Sequence, residues 1–136
     1  MKTQTEKIRE NWLKLTQDPV FNILLRKSSI TQRQVEVLLF DVAAEEQGLR
    51  LTYEERAKVL KLSKGAYARI RKQAMSNITK ALFTVILSSY LGILKLPKPS
   101  WVLEIGELLQ EGDAESLKKA LSLLREEGDK RYNAER

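Results

Sequence analysis

The chain has no cysteine and no histidine. The first absence excludes disulfides, a thiolate nucleophile and sulfur ligands for a metal. The second removes the commonest general base and the imidazole ligand. Catalysis would have to rest on carboxylate, lysine or tyrosine, and no glycine-rich phosphate loop is present. The paired carboxylates Glu45/Glu46 and Glu126/Glu127 are adjacent in sequence, so on a helix each pair points apart into solvent. No enzymatic activity, metal or cofactor is therefore expected. Long apolar runs are also scarce. The longest, Ala81 to Leu94, spans fourteen residues, against the roughly twenty needed to cross a bilayer. With no apolar leader in MKTQTEKIREN, a cytoplasmic location without membrane contact is expected.

The most informative absence is local. Residues 56–103 contain ten basic residues and no Asp or Glu, whereas residues 1–55 carry eight basic against nine acidic and residues 104–136 six against nine. The whole chain of 136 residues has a net charge of +6, and its cations are concentrated on one stretch. Solvated helix faces normally mix signs, so this stretch is suited to a polyanion.

Apolar periodicity and capping residues predict an all-α chain. Ile8, Trp12 and Leu15 give a stripe on a first helix over Glu6 to Leu15. Asp18 caps a second helix that opens with Pro19 and ends near Lys27. Thr31 and Gln34 have capping-box spacing for a third helix, with Val35, Leu38, Leu39, Val42 and Ala43 as its apolar set and Gly48 as its left-handed stop. Thr52 and Glu55 form a second such box before a short helix ending near Leu60. Its inward residues are Tyr53, Ala57 and Leu60, with Leu62 pinning the turn. Small Ala57 permits the close approach of two helices crossing steeply.

Ser63 caps the next helix. At 100° per residue, Tyr67, Ile70, Ala74 and Ile78 fall within about eighty degrees and form its buried stripe. Gly65, Ala68, Arg69, Lys72 and Ser76 lie opposite, flanked by Lys64 and Arg71. A helix with small residues and arginine outward can enter a major groove and reach base edges. Arg69 suits a bidentate guanine contact and Lys72 a base or phosphate. Lys58, Lys61, Lys64 and Arg71 suit phosphates, which position without specifying.

From Ala81 to Leu96 apolar residues occupy every face, including Leu82, Phe83, Val85, Ile86, Leu87 and Leu91. Such a helix must be buried all round. It either runs through the centre of a bundle or pairs with a second copy, and a homodimer would present two recognition helices to one face of a duplex. Gly92 bends or ends it. The sequence LPKPS at 96–100 is the clear boundary, dividing a domain over 1–96 from an acidic helical hairpin over 97–136. The hairpin's first helix follows the cap Ser100, and its second follows the cap Asp113.

Residues 30–78 resemble the helix-turn-helix of sigma-factor region four and of LuxR-type and archaeal Tfx-type regulators. Ile30-Thr31-Gln32-Arg33-Gln34-Val35-Glu36-Val37-Leu38 is similar to that family's opening helix. Tyr53-Glu54-Glu55-Arg56-Ala57-Lys58-Val59-Leu60-Lys61-Leu62-Ser63 follows its second helix and turn. Lys64 to Ala74 follows its recognition helix. Three positions depart: Arg56 stands for an apolar core residue, Lys61 for the turn glycine, and Ala66 for a hydroxyl that often meets phosphate. The resemblance implies sequence-specific binding of double-stranded DNA by a transcriptional regulator, and adds RNA polymerase or a basal transcription factor as partners. A protein-interaction module using the same unit as scaffold is the alternative. Single-stranded RNA lacks the aromatic platforms it would need in the basic segment.

Overall fold

The computed structural model describes residues 2–94, the helix at 101–110 and residues 115 and 118. Among the described residues all regular structure is helical, in the order α1 (Gln4–Thr16), α2 (Pro19–Lys27), α3 (Gln32–Glu46), α4 (Tyr53–Val59), α5 (Lys64–Tyr90) and α6 (Trp101–Gln110). None of these helices is long and apolar enough to cross a membrane. The chain divides into two compact units, residues 1–81 and 82–136, with α5 contributing to both. The connector expected at 96–100 lies outside the described residues. So does the hairpin's second helix, apart from Glu115 and Lys118.

The helix starts follow from side-chain oxygens placed to take otherwise orphaned amides. Thr3 and Glu6 form a reciprocal capping box on α1, two residues earlier than the apolar stripe indicates. Asp18 accepts from the Val20 amide at 2.9 Å, ahead of Pro19. Thr31 and Gln34 form the expected box on α3. On α4 the box is incomplete. Thr52 accepts from the Glu55 amide at 3.2 Å, but the Glu55 carboxylate takes the Thr52 hydroxyl, not its amide. Ser63 accepts from the Ala66 amide at 3.1 Å and opens α5.

Three helices stop in the same way. After α3 the Leu49 and Gly48 amides return to the Ala44 and Glu45 carbonyls; after α5 those of Ile93 and Gly92 return to Ser88 and Ser89. Both are Schellman motifs with glycine at the left-handed position, at φ 68° and 74°. After α4 the Leu62 and Lys61 amides return to Ala57 and Lys58. The motif is identical, but its left-handed residue is Lys61, at φ 58°. Lysine thus takes up the very conformation that glycine would adopt without strain.

The core of the first unit joins Ile8, Val37, Phe40, Ala57, Leu60 and Tyr67, with Leu49, Leu51, Leu62 and Ile70 packed against it. Trp12 meets Phe21 edge-on at 5.9 Å, tying α1 to α2. Two expectations are corrected here. The face α3 turns inward is Val37, Phe40, Asp41 and Ala44; Val35, Leu38 and Ala43 are only half-buried, and Leu39 and Val42 are 40% and 49% exposed. A stripe containing an aspartate does not read as apolar, so the pattern favours its neighbour. Second, the basic and apolar segments are not separate helices. One helix runs unbroken from Lys64 to Tyr90, and Gly92 lies in the turn that ends it.

Candidate nucleic-acid interface

The first half of α5 is held by residues that leave one face free. Tyr67 and Ala74 are fully buried and Ile70 is half-buried, while Ile78, expected inside, is 39% exposed. Gly65, Arg69, Lys72 and Ser76 are exposed and Ala68 is half-buried. A Cβ added at Gly65 would meet nothing within 4 Å, so internal packing does not require glycine there. Lys58 on α4, Lys61 in the turn and Lys64 at the start of α5 are also exposed. No carboxylate among the described residues pairs with Lys58, Lys61, Lys64, Arg69 or Lys72. The turn therefore presents cations whose charge is uncompensated within the described chain.

Arg71 sits differently from these. Its Nε donates to Asp41 Oδ2 at 2.7 Å, with its side chain 40% exposed. Asp41 Oδ1 accepts from Arg56 Nη1 at 2.7 Å and from the Tyr67 hydroxyl. Arg56 Nε also donates to the Leu51 carbonyl at 3.1 Å. Tyr53 lies against Tyr67 with centroids 5.5 Å apart, and the Arg56 and Arg71 guanidinium carbons stand 5.9 and 5.7 Å from its ring centroid. Tyr53 is thus 36% exposed, a lid on this cluster more than an inward core residue. One aspartate on α3 gathers donors from α4 and α5.

The electrostatics follow from this geometry. Burial pushes the Tyr67 phenol well above the ordinary tyrosine range, reinforced by the Asp41 carboxylate it donates to. The hydrogen bond to Asp41 raises the Arg71 guanidinium. Burial works against the Arg56 cation, but hydrogen bonding and attraction to Asp41 outweigh it, so its pKa is also raised. Every buried polar side-chain atom among the described residues has a partner. Arg56 is accommodated in this half-buried setting because Asp41 neutralises it.

Sequence reasoning missed Asp41, because the stripe Val37, Phe40, Asp41 and Ala44 was not the one expected to face inward. It also missed Arg33, whose Nη2 donates to the Leu60 carbonyl at 2.6 Å while its Nη1 pairs with Glu36. That contact ties α3 to the end of α4 and satisfies a terminal carbonyl. Asn77 Nδ2 donates to Gln34 Oε1 at 3.1 Å and joins α5 to the cap of α3.

The second half of α5 is the other candidate surface. Leu82, Phe83, Ile86, Leu87, Tyr90 and Leu91 are between 55% and 84% exposed and Val85 is 36% exposed. Among the described residues, nothing supplies the burial on every side that this segment demands. A cavity of about 490 Å³ between α1 and α3, floored by Phe40 and Leu60, includes none of the basic side chains of α4 and α5.

Comparison with known protein families, with curated proteins and with solved structures gives no match. The class defined by fold is an all-α protein whose α4–turn–α5 unit exposes a basic surface.

Proposed function

We propose that this protein binds double-stranded DNA sequence-specifically and acts as a transcriptional regulator, with residues 63–78 of α5 in the major groove. The observation that carries the reading is the exposed, uncompensated cationic set Lys58, Lys61, Lys64, Arg69 and Lys72 around a tight two-helix turn. Exposed Gly65 and half-buried Ala68 allow close approach to the duplex. Arg69 reads a base edge, and Lys58, Lys61 and Lys64 hold phosphates. In this reading Lys61 keeps a left-handed conformation that glycine would adopt with less strain because its ammonium faces the backbone of the duplex. The apolar second half of α5 pairs with a second copy, which removes its side chains from water and sets two recognition segments on one duplex.

Fluorescence anisotropy with a labelled mixed-sequence duplex tests the electrostatic part. A log–log plot of affinity against salt should be steep, near −0.9 per phosphate neutralised. A flat plot at low salt would end the reading.

A second reading is favoured by the exposed apolar side chains between Leu82 and Leu91. In it the helix-turn-helix is scaffold, and this surface docks on a protein such as RNA polymerase or a basal transcription factor. Duplex binding unaffected by charge removal on α4 and α5 would turn the choice toward it.

A further inference from the structure

Asp41 is buried, with its side chain 8% exposed, yet it lies on no surface that could meet a ligand. What it touches is more telling than where it sits. Tyr67 and Arg71 are four residues apart, one turn along the same side of α5. The Tyr67 hydroxyl is seated on Asp41 Oδ1 and the Arg71 Nε on Oδ2. Arg56 of α4 shares Oδ1 at 2.7 Å. Apart from the half-buried tie of Asn77 to Gln34 at the far end, the other inward residues of this part of α5 are apolar or small: Ala74 is fully buried and Ile70 packs on the core. Apolar burial is non-directional and tolerates a small rotation of a helix. Hydrogen bonds at two points one turn apart do not, because their geometry weakens steeply off axis.

We propose that Asp41 is a positioning residue for the outward face of α5. By seating Tyr67 and Arg71 together it sets the rotation of α5 about its own axis, and hence which of Gly65, Ala68, Arg69, Lys72 and Ser76 meets a base edge. The inference rests on the DNA-binding reading above. Turning α5 by about 20° would carry a guanidinium some 8 Å from the helix axis through roughly 3 Å, a full hydrogen-bond length. A bidentate base contact does not survive that displacement, whereas a lysine on a flexible stem still finds a phosphate. The clasp therefore controls discrimination between sequences more than overall affinity.

The test compares Asp41→Asn and Tyr67→Phe with Val37→Ala, which removes core volume and no hydrogen bond. Dissociation constants are measured at one salt concentration for an enriched duplex and for its scrambled counterpart. Asp41→Asn and Tyr67→Phe should narrow the ratio of the two at least tenfold while the scrambled duplex changes less than threefold. Val37→Ala should keep the wild-type ratio in its folded fraction. Preserved discrimination in the two clasp variants, or equal narrowing in Val37→Ala, would overturn the proposal. Should Asp41→Asn fail to fold, Tyr67→Phe, which keeps both arginine pairs, decides the matter. A wild type that shows no preference for any duplex refutes the DNA-binding reading instead. The clasp is then judged without DNA, by residual dipolar couplings of the α5 amides relative to α3. Rotation of α5 in Tyr67→Phe supports the clasp, and unchanged couplings refute it.

Discussion

The two halves of α5 belong to one helix and obey opposite rules. From Lys64 to Ala81 the helix is mostly polar, yet it buries Tyr67 and Ala74 completely. From Leu82 to Tyr90 it carries no charge and is mostly apolar, yet its large side chains stand open. Hydrophobicity creates the demand for burial, but a facing surface has to meet it. For the first half that surface is the α3–α4 layer, and the match is specific: Asp41 for Tyr67 and Arg71, small Ala57 where the helices approach. For the second half the described chain supplies none. A contiguous exposed apolar patch marks an interaction site, and the occupant proposed for it is a second copy.

The largest effect that would break this contrast lies beneath the first half. Asp41→Ala leaves Arg56, with its side chain 13% exposed, beside an emptied site. Loss of one partner of a buried ion pair costs about 3–5 kcal/mol, so chemical denaturation should show a large drop in midpoint. A change under 1 kcal/mol would mean the clasp does not hold the first half in place.

The second half should respond in the other way. Ile86→Glu places a charge on a side chain already 61% exposed, so within one copy its stability should change by no more than about 0.5 kcal/mol. Light scattering at micromolar concentration should nevertheless move from dimer to monomer. A wild type that is already monomeric there would remove the second copy from the account.

Arg69→Ala sharpens the difference between reading and anchoring on the first half. It should cost about 1–3 kcal/mol against the preferred duplex and relax preference at one base position. Lys58→Ala should weaken all duplexes alike and flatten the salt slope by about one. Equal losses on every sequence for Arg69→Ala would contradict its base-reading role.

A smaller effect concerns the turn. Lys61→Gly relieves a left-handed lysine and should stabilise the fold by about 1 kcal/mol, raising the thermal midpoint. The same variant should weaken duplex binding, since it deletes a phosphate anchor. Alkaline pH gives the last and mildest contrast. The fold favours the neutral Tyr67 phenol, whose pKa is raised. Its contribution is complete below the unfolded value of about 10 and is lost as pH rises through the higher folded value. Tyr67→Phe should lose less stability than wild type above pH 10, read as the difference between their denaturation curves.

Much of the frame was legible because caps and stops are local chemistry. Thr31 with Gln34, Asp18 with Pro19, Gly48 and Ser63 each act within four residues, and each is found where the sequence puts it. The α3 face was misjudged for a non-local reason. Asp41 reads as solvent-facing until Arg56, Tyr67 and Arg71, fifteen to thirty residues away, are known to converge on it. The tie of Arg71 to Asp41 is hidden for the same reason, since it cannot be seen from helix phase. Lys61 kept the glycine conformation because the Schellman hydrogen bonds and the Leu62 packing fix the backbone whatever residue occupies it. The break between basic and apolar helices was read from a change in pattern, but no residue between Ile78 and Leu82 stops a helix.

The most direct measurement is selection from a randomised duplex pool by the whole protein, followed by affinity of the enriched duplex against salt. Enrichment of one roughly twofold-symmetric site with a steep salt slope is the predicted result. Binding without enrichment, or no binding at low salt, would contradict it.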